Sequence, residues 1–234
     1  MIDGRSVLVV VPARGGSKGI KLKNLSRLND KTLIEHTADI IKRCDFIDET
    51  VVSTDHELIK REALRTGLKA PFTRPEELSG DFISDMQVLK HALSESESAF
   101  KRIFDIILML QPNSPVRQPR HILDCVNALI KNKLDSCFTV SETDSKAHPL
   151  KQLKIVNNKV SYYDPEGELI IARQMLKPVY HKNGVCYAFT RECIMEKGKV
   201  VTDNSSAVII DEFTVNIDTM HDLKTAELFF KEAL

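Results

Sequence analysis

The densest chemistry in the chain lies in Pro12–Ile20, where Arg14, Gly15, Gly16, Ser17, Lys18 and Gly19 follow directly on an apolar run. Three glycines within five positions let the backbone turn sharply and present N–H groups to an anion. Arg14, Lys18 and Lys23 place three positive charges within ten residues, a density that suits a polyphosphate. A solvated turn with surface lysines is the bland alternative, and the position after a first buried strand argues against it. No Gly-Lys-Ser/Thr follows at Walker A spacing and GxGxxG is absent, so neither of those phosphate loops applies. Gln111 stands at the end of another apolar run, just before Pro112, where an amide is placed to hydrogen-bond a ligand. The seven histidines show no HxH or HExxH spacing, and no Ser-His-Asp set suggests covalent catalysis.

These groups need a frame that gathers them. Ser6–Pro12 reads as a strand buried on both faces. Leu33–Cys44 carries Leu33, Ile34, Thr37, Ile40 and Ile41 at helical spacing, and Glu49–Ser53 is a short strand closed by Thr54-Asp55. Helices are expected over Glu57–Thr66, Met86–Glu97 and His121–Lys131, and strands over Ile103–Leu110 and Ser136–Val140. This alternation predicts an α/β fold, a three-layer, doubly wound, mostly parallel sheet of the nucleotidyltransferase, Rossmann-like kind, with helices on both faces. Arg14–Lys18, Asp55 and Gln111–Arg117 then fall beyond the carboxyl ends of strands, where such sheets bind ligands.

The rhythm changes between about 142 and 183. Short alternating runs (Leu153–Val156, Val160–Tyr163) and turn signals at Asn157-Asn158 predict a β-rich insertion, a lid or a dimer arm, within one domain spanning 1–234. Its apolar residues, including Leu153, Ile155, Val160, Leu169, Ile170 and Ile171, need cover from the body or a second subunit. Strands at Gly184–Thr190 and Ala207–Ile210 and a helix over Asp222–Glu232 complete the reading.

Composition narrows the class. Lys+Arg 33 and Asp+Glu 33 give a net charge of +0 over 234 residues, which argues against a nucleic-acid partner or a polybasic membrane contact. With 42% hydrophobic and 28% charged residues the chain has material for a full core. No apolar run approaches the roughly 20 residues that span a bilayer, and Val7–Val11 is strand-sized rather than a signal peptide. Five cysteines, an odd number without a CxxC pair, read as buried hydrophobes in a reducing cytoplasm.

The run Val11–Leu25 (VPARGGSKGIKLKNL) resembles the opening of the acylneuraminate cytidylyltransferases, the enzymes that make CMP-activated sialic acids. Val52–Asp55 is similar to that family's VSTD turn, Arg74–Leu78 to its RPxEL segment and Leu110–Arg117 to its LQPTSPLR motif. His148–Lys151, Arg173-Gln174, Asn183-Gly184 and Asn216–Thr219 fall in the family's order, which makes eight segments in register. The resemblance implies attack by the anomeric hydroxyl of a nine-carbon ulosonic acid on the α-phosphorus of CTP, with pyrophosphate leaving. It implies that Arg14, Lys18 and Lys23 neutralise the phosphates, on a loop where Ala13, Gly15, Gly16 and Ser17 contribute backbone or hydroxyl donors. Asn24, Arg74 and Ser84 match positions that contact base and ribose. For Arg74 the alternative is an ion pair with Glu76 or Glu77, and for Ser84 a helix N-cap. Gln111 matches a residue at the incoming sugar, and Arg117 a brace for its loop. Lys151 and Arg173 match basic residues that face the sugar's carboxylate, carried by the insertion and donated across a homodimer.

Two departures stand out. Family members commonly carry Asp-Ile-Asp, which on an extended segment points two carboxylates one way toward Mg²⁺ or Mn²⁺. This chain has Asn216-Ile217-Asp218, leaving Asp218 as principal ligand, Asn216 as a neutral oxygen and Asp211 as a further donor. The expected catalytic set is therefore Arg14, Lys23, Gln111 and Asp218. Secondly, His181-Lys182-Asn183-Gly184 replaces an Arg-Pro-Asn-Gly stretch, which points to a modified nonulosonate such as legionaminic or pseudaminic acid. A 3-deoxy-manno-octulosonate cytidylyltransferase, or a non-catalytic nucleotide-binding regulatory domain, stays open as the alternative.

Overall fold

A computed structural model describes residues 1–232 of the chain. Strand β1 (Val7–Pro12) is followed by the two-residue strands β2 (Arg27–Leu28) and β3 (Lys31–Thr32), then α1 (Leu33–Ile41), β4 (Glu49–Ser53) and α2 (Glu57–Arg65). Next come α3 (Asp85–Phe100), β5 (Ile106–Met109), α4 (Pro119–Lys131) and β6 (Ser136–Glu142). A hairpin of β7 (Leu153–Val156) and β8 (Lys159–Tyr162) precedes β9 (Tyr180–Thr190), β10 (Ser205–Ile209) and α5 (Met220–Glu232).

The main sheet has the order β10-β6-β9-β5-β1-β4. All its pairings are parallel except those of β9, which runs antiparallel to both β5 and β6. The period of two in β1 fixes the layers. Val7, Val9 and Val11 pack with Ile34 and Ala38 of α1, Ile59 and Ala63 of α2, and Ile122 and Val126 of α4. Leu8 and Val10 face the opposite way, onto Leu89, Ala92 and Leu93 of α3 and onto Phe189 of β9. Each of the Val, Leu and Ile side chains among them contributes about 1.5–3 kcal/mol on burial, so a strand apolar on both faces specifies a sheet covered on both. A third cluster of Leu28, Leu33, Ile217, Leu223 and Ala226 pins α5 against the β2–β3 ribbon. All five cysteines are buried and free. Among the described residues no helix is long and apolar enough to cross a membrane.

Helix α1 ends at Ile41 rather than Cys44, α3 runs on to Phe100, the periodicity does not predict the β2–β3 ribbon, and two strands of the main sheet start well away from where it predicts. The third core strand starts at Ile106 rather than Ile103, because Asp105 and Ile106 both donate backbone N–H groups to Ser6 O and Ile103 lies exposed before that anchor. The strand expected at Gly184 begins at Tyr180: His181 pairs with Ser141 and Tyr180 with Glu142 at the outer end of β6. Polar residues on a solvated stretch of ladder carry no alternation, so the pattern concealed them. Between these paired ends, residues 143–179 lie outside the main sheet. There Leu153, Ile155, Val156, Val160, Leu169 and Ile171 are exposed, Ile171 at 90%; the chain's own body does not cover them.

Candidate active site

Strands β1, β4 and β5 end side by side. Pro12 is in register with Ser53, and Val10 with Met109, so the turns after all three open on one edge. Ala13 is buried there, its N–H donating to Ser53 O at 2.9 Å. Gly15 donates its N–H to Asp55 Oδ1 at 2.8 Å, and a Cβ on Gly15 would lie 2.8 Å from the His56 ring, so a glycine is required. Asn24, buried in the Lys23–Leu25 turn, donates its amide N–H to Arg14 O at 3.1 Å. The backbone of Arg14 is thus fixed between the strand and the turn.

The loops enclose a cavity of about 470 Å³. Arg14, Ser17, Lys18, Lys23, Asn24, Arg74, Gln111 and Asp218 all line it. Arg74 is 4% exposed and turns to Ser53, donating from Nε to the hydroxyl at 3.0 Å and from Nη2 to the carbonyl, rather than to Glu76 or Glu77. Burial pushes its guanidinium down to about 10, against the opposing pull of Asp55, so it remains a cation at neutral pH. Arg117 is buried and braces the loop after β5, donating to Ser114 O at 2.8 Å and to Gln111 O. Burial likewise lowers its pKa to about 10.

One acidic group of the cleft, Asp218, comes from the segment before α5. Buried Ile217 donates its N–H to Asn113 O at 2.8 Å. Asp222 Oδ2 accepts from Asp218 N at 3.1 Å and from Thr219 N and Oγ1, both at 2.8 Å, closing a reciprocal cap on α5. Asp218 Oδ1 is 2.5 Å from Lys23 Nζ and accepts from Asn113 Nδ2 at 3.4 Å. A Cβ on Gly19 would lie 2.1 Å from Asp218 O, so the glycine loop and the acidic segment touch directly. Asn216 Oδ1 accepts from Ser114 Oγ at 2.5 Å. Opposite them Gly184 has φ +72, and a Cβ there would meet Ser114 Oγ, Asn216 Oδ1 and Gln111 Oε1 at 2.3, 2.8 and 3.2 Å.

Several expected site residues lie elsewhere. Ala13, Gly15 and Gly16 shape the loop without lining the cavity, and the Gly15 N–H is taken by Asp55. Ser84 is the N-cap of α3, in a capping box with Gln87; its neighbours Ile83 and Asp85 line the cavity instead. Lys151 sits on the exposed Pro149–Lys151 turn and Arg173 lines a separate cavity of about 190 Å³ with His148 and Lys177. Both belong to the 143–179 segment, so one chain does not bring them to Gln111. Asp211 is exposed and outside the cleft. Among the described residues no three His, Cys, Asp or Glu side chains cluster to hold a metal. Sequence reasoning passed over Asp81, which lies 3.0 Å from Arg14 Nη1 and 2.7 Å from Lys18 Nζ. It also left out Asn113, which touches Asp218. Asn113 sits inside the LQPNSPVR segment and was open to the same reasoning as Gln111, whereas nothing near Asp81 in the chain marks its partners.

Residues 8–228 match the protein-family model described as Cytidylyltransferase. A pseudaminic acid cytidylyltransferase of Campylobacter jejuni is 30% identical over 227 residues, which is 96% of each chain. A CMP-N,N'-diacetyllegionaminic acid synthase of the same species is 29% identical over 223 residues, 94% of this chain and 93% of that one. A solved CMP:2-keto-3-deoxy-manno-octonic acid synthetase complexed with CTP superposes with a TM-score of 0.73 at 18% identity, covering 98% of this chain and 100% of the other; that likeness speaks to fold. A cationic glycine loop at the carboxyl edge of a mostly parallel sheet, matched by a family model over nearly its whole length, makes this chain a member of the cytidylyltransferase family and hence a nucleotidyltransferase.

Proposed function

We propose that the protein transfers the cytidylyl group of CTP to the anomeric hydroxyl of a nine-carbon, sialic-type ulosonic acid. The hydroxyl gives its proton to solvent and its oxygen bonds the α-phosphorus as the bond to the bridging oxygen of the leaving pyrophosphate breaks. Two relatives that match along nearly their whole length are named for pseudaminic and legionaminic acids, and His181-Lys182 in place of Arg-Pro leads to the same modified class. The carrying observation is that Arg14, Lys18, Lys23, Gln111 and Asp218 line one cavity.

Within it, Arg14, Lys18 and Lys23 take the phosphates, and Ser17 joins them from the loop whose turn Ala13, Gly15 and Gly16 shape. Asn24 and Arg74 meet the nucleoside from positions already fixed by Arg14 O and Ser53. Gln111, carried on a loop that Arg117 holds rigid, directs its amide to the attacking oxygen. Preorganised donors of this kind act where charge develops and need no rearrangement during reaction. A divalent cation fits the donor set in one way. Mg²⁺ is commonly held by one or two carboxylates together with substrate phosphates, and Asp218 offers an exposed carboxylate at the cleft, with Asp81 engaged by Arg14 and Lys18 on the other side. Asn216 does not line the cavity and its Oδ1 accepts from Ser114, so it reaches the cation only if that bond is released. When bound, Mg²⁺ or Mn²⁺ supplies neutralisation of the triphosphate charge.

The exposed apolar surface of residues 143–179 supports a homodimer. In it Lys151 and Arg173 of each arm face the acceptor carboxylate in the other subunit's cleft, where a basic group is needed. Buried free cysteines suit a reducing cytoplasm.

Pyrophosphate release from CTP with Mg²⁺ tests the reading, using authentic pseudaminic, legionaminic, N-acetylneuraminic and 3-deoxy-manno-octulosonic acids as acceptors. Release is expected with a nine-carbon acid. Release with the eight-carbon acid alone, or CTP binding without release for any acceptor, overturns it.

A further inference from the structure

Arg14 and Lys18 are not free in the cleft. The two oxygens of Asp81 each hold one of them, Oδ1 at 3.0 Å from Arg14 Nη1 and Oδ2 at 2.7 Å from Lys18 Nζ. The Lys18 side chain is 78% exposed and has no other ion-pair partner among the described residues. Asp81 follows the Glu76–Leu78 turn and precedes the cap of α3, and Gly80, Asp81 and Ile83 line the same cavity as the two cations. Hydrogen bonds from Lys18 and then Arg14 hold the Asp81 carboxyl below its usual range, so it is an anion at neutral pH.

A carboxylate bridging a guanidinium and an ammonium does what a phosphate group does, presenting two anionic oxygens to the same donors. A triphosphate and Asp81 therefore compete for Arg14 and Lys18, and holding both anions on the pair brings like charges within a few ångströms. We propose that Asp81 is an internal counter-anion: it holds Arg14 and Lys18 in position, is displaced by the CTP phosphates, and returns to the pair as pyrophosphate leaves. Its effect is to weaken nucleotide and pyrophosphate binding while speeding release of product. The proposal rests on the reading of Arg14 and Lys18 as phosphate ligands of a cytidylyltransferase.

Calorimetric titration of the full chain with CTP and with pyrophosphate, each with and without Mg²⁺, tests it on the wild type, Asp81→Asn and Asp81→Glu. Each exposed ion pair is worth up to about a fivefold change in equilibrium. The asparagine variant is thus expected to bind CTP and pyrophosphate roughly threefold to tenfold more tightly, with or without Mg²⁺. Cytidine, which has no phosphate, should bind both proteins alike, and Asp81→Glu should behave as wild type. In steady state the KM for CTP and the inhibition constant of pyrophosphate should fall together. Unchanged or weaker binding by a folded Asp81→Asn overturns the proposal, because Asp81 would then be a plain brace for the loop. Weakening confined to titrations with Mg²⁺ overturns it as well and makes Asp81 a metal ligand. Failure of the wild type to bind CTP in any titration rejects the nucleotide reading itself, and this proposal with it.

Discussion

Lys23 and Asp218 are separated by 195 residues and lie 2.5 Å apart. On the proposed reading the pair separates when substrate arrives, the ammonium turning to phosphate and the carboxylate to a cation. Asp218→Ala removes the one carboxylate that the metal reading uses, and kcat should fall by roughly 10²–10³-fold at saturating Mg²⁺. Near wild-type turnover would take Asp218 out of the chemistry. Asn216→Asp is the companion variant, expected to lower the Mg²⁺ concentration giving half-maximal rate, and a null effect places residue 216 outside the coordination shell. At this scale the sequence was legible where chemistry is local. Arg14, Lys18 and Lys23 share ten residues, so their meeting at one cavity could be expected from spacing. Asp81 could not be, because its partners lie on a different loop and only the sheet edge brings them together. Ser84 shows the opposite case: Ser84-Asp85-Met86-Gln87 spells a capping box, and that local pattern describes its place better than the match to a nucleotide contact does.

The elements place these groups through a few tight backbone approaches. Gly19 presses on the carbonyl of Asp218, and an alanine there would put its Cβ 2.1 Å from that oxygen. The loop and the acidic segment would have to separate. Gly19→Ala is expected to cost about 1–3 kcal/mol in stability, read as a lower Tm, together with a drop in kcat/KM for CTP. A variant with unaltered Tm and activity would mean that the two segments move independently. The strands that carry the site announced themselves by their apolar runs, and the helices by their period. The first four residues of β9 did not, since Tyr180, His181 and Lys182 pair on a solvated part of the ladder where no alternation is selected, and Asn183 is a buried polar residue at the register shift. That short stretch carries the chain to Gly184, whose left-handed backbone fits between Ser114, Asn216 and Gln111.

For the whole molecule, the exposed apolar arm is the feature on which the proposed dimer rests. Ile155 and Leu169 are 71% and 68% exposed, and buried against a second copy each would add about 1.5–3 kcal/mol. Light scattering should therefore return a dimer mass for the wild type and a monomer for Ile155→Glu/Leu169→Glu. If the acceptor carboxylate is held across that interface, the charged variant should raise KM for the ulosonic acid and leave CTP affinity close to normal. A monomeric wild type with full turnover would return Lys151 and Arg173 to the solvent. Beyond its assembly, the molecule has a peculiar wiring. The chain quits the sheet at Glu142 and rejoins it at Tyr180, directly opposite on the ladder. Everything in between is a graft on a closed stem, and its replacement leaves every other strand neighbour intact. If that graft carries the groups that hold the acid, evolution can trade one for another, altering which acid is welcomed while the nucleotide half stays as it was.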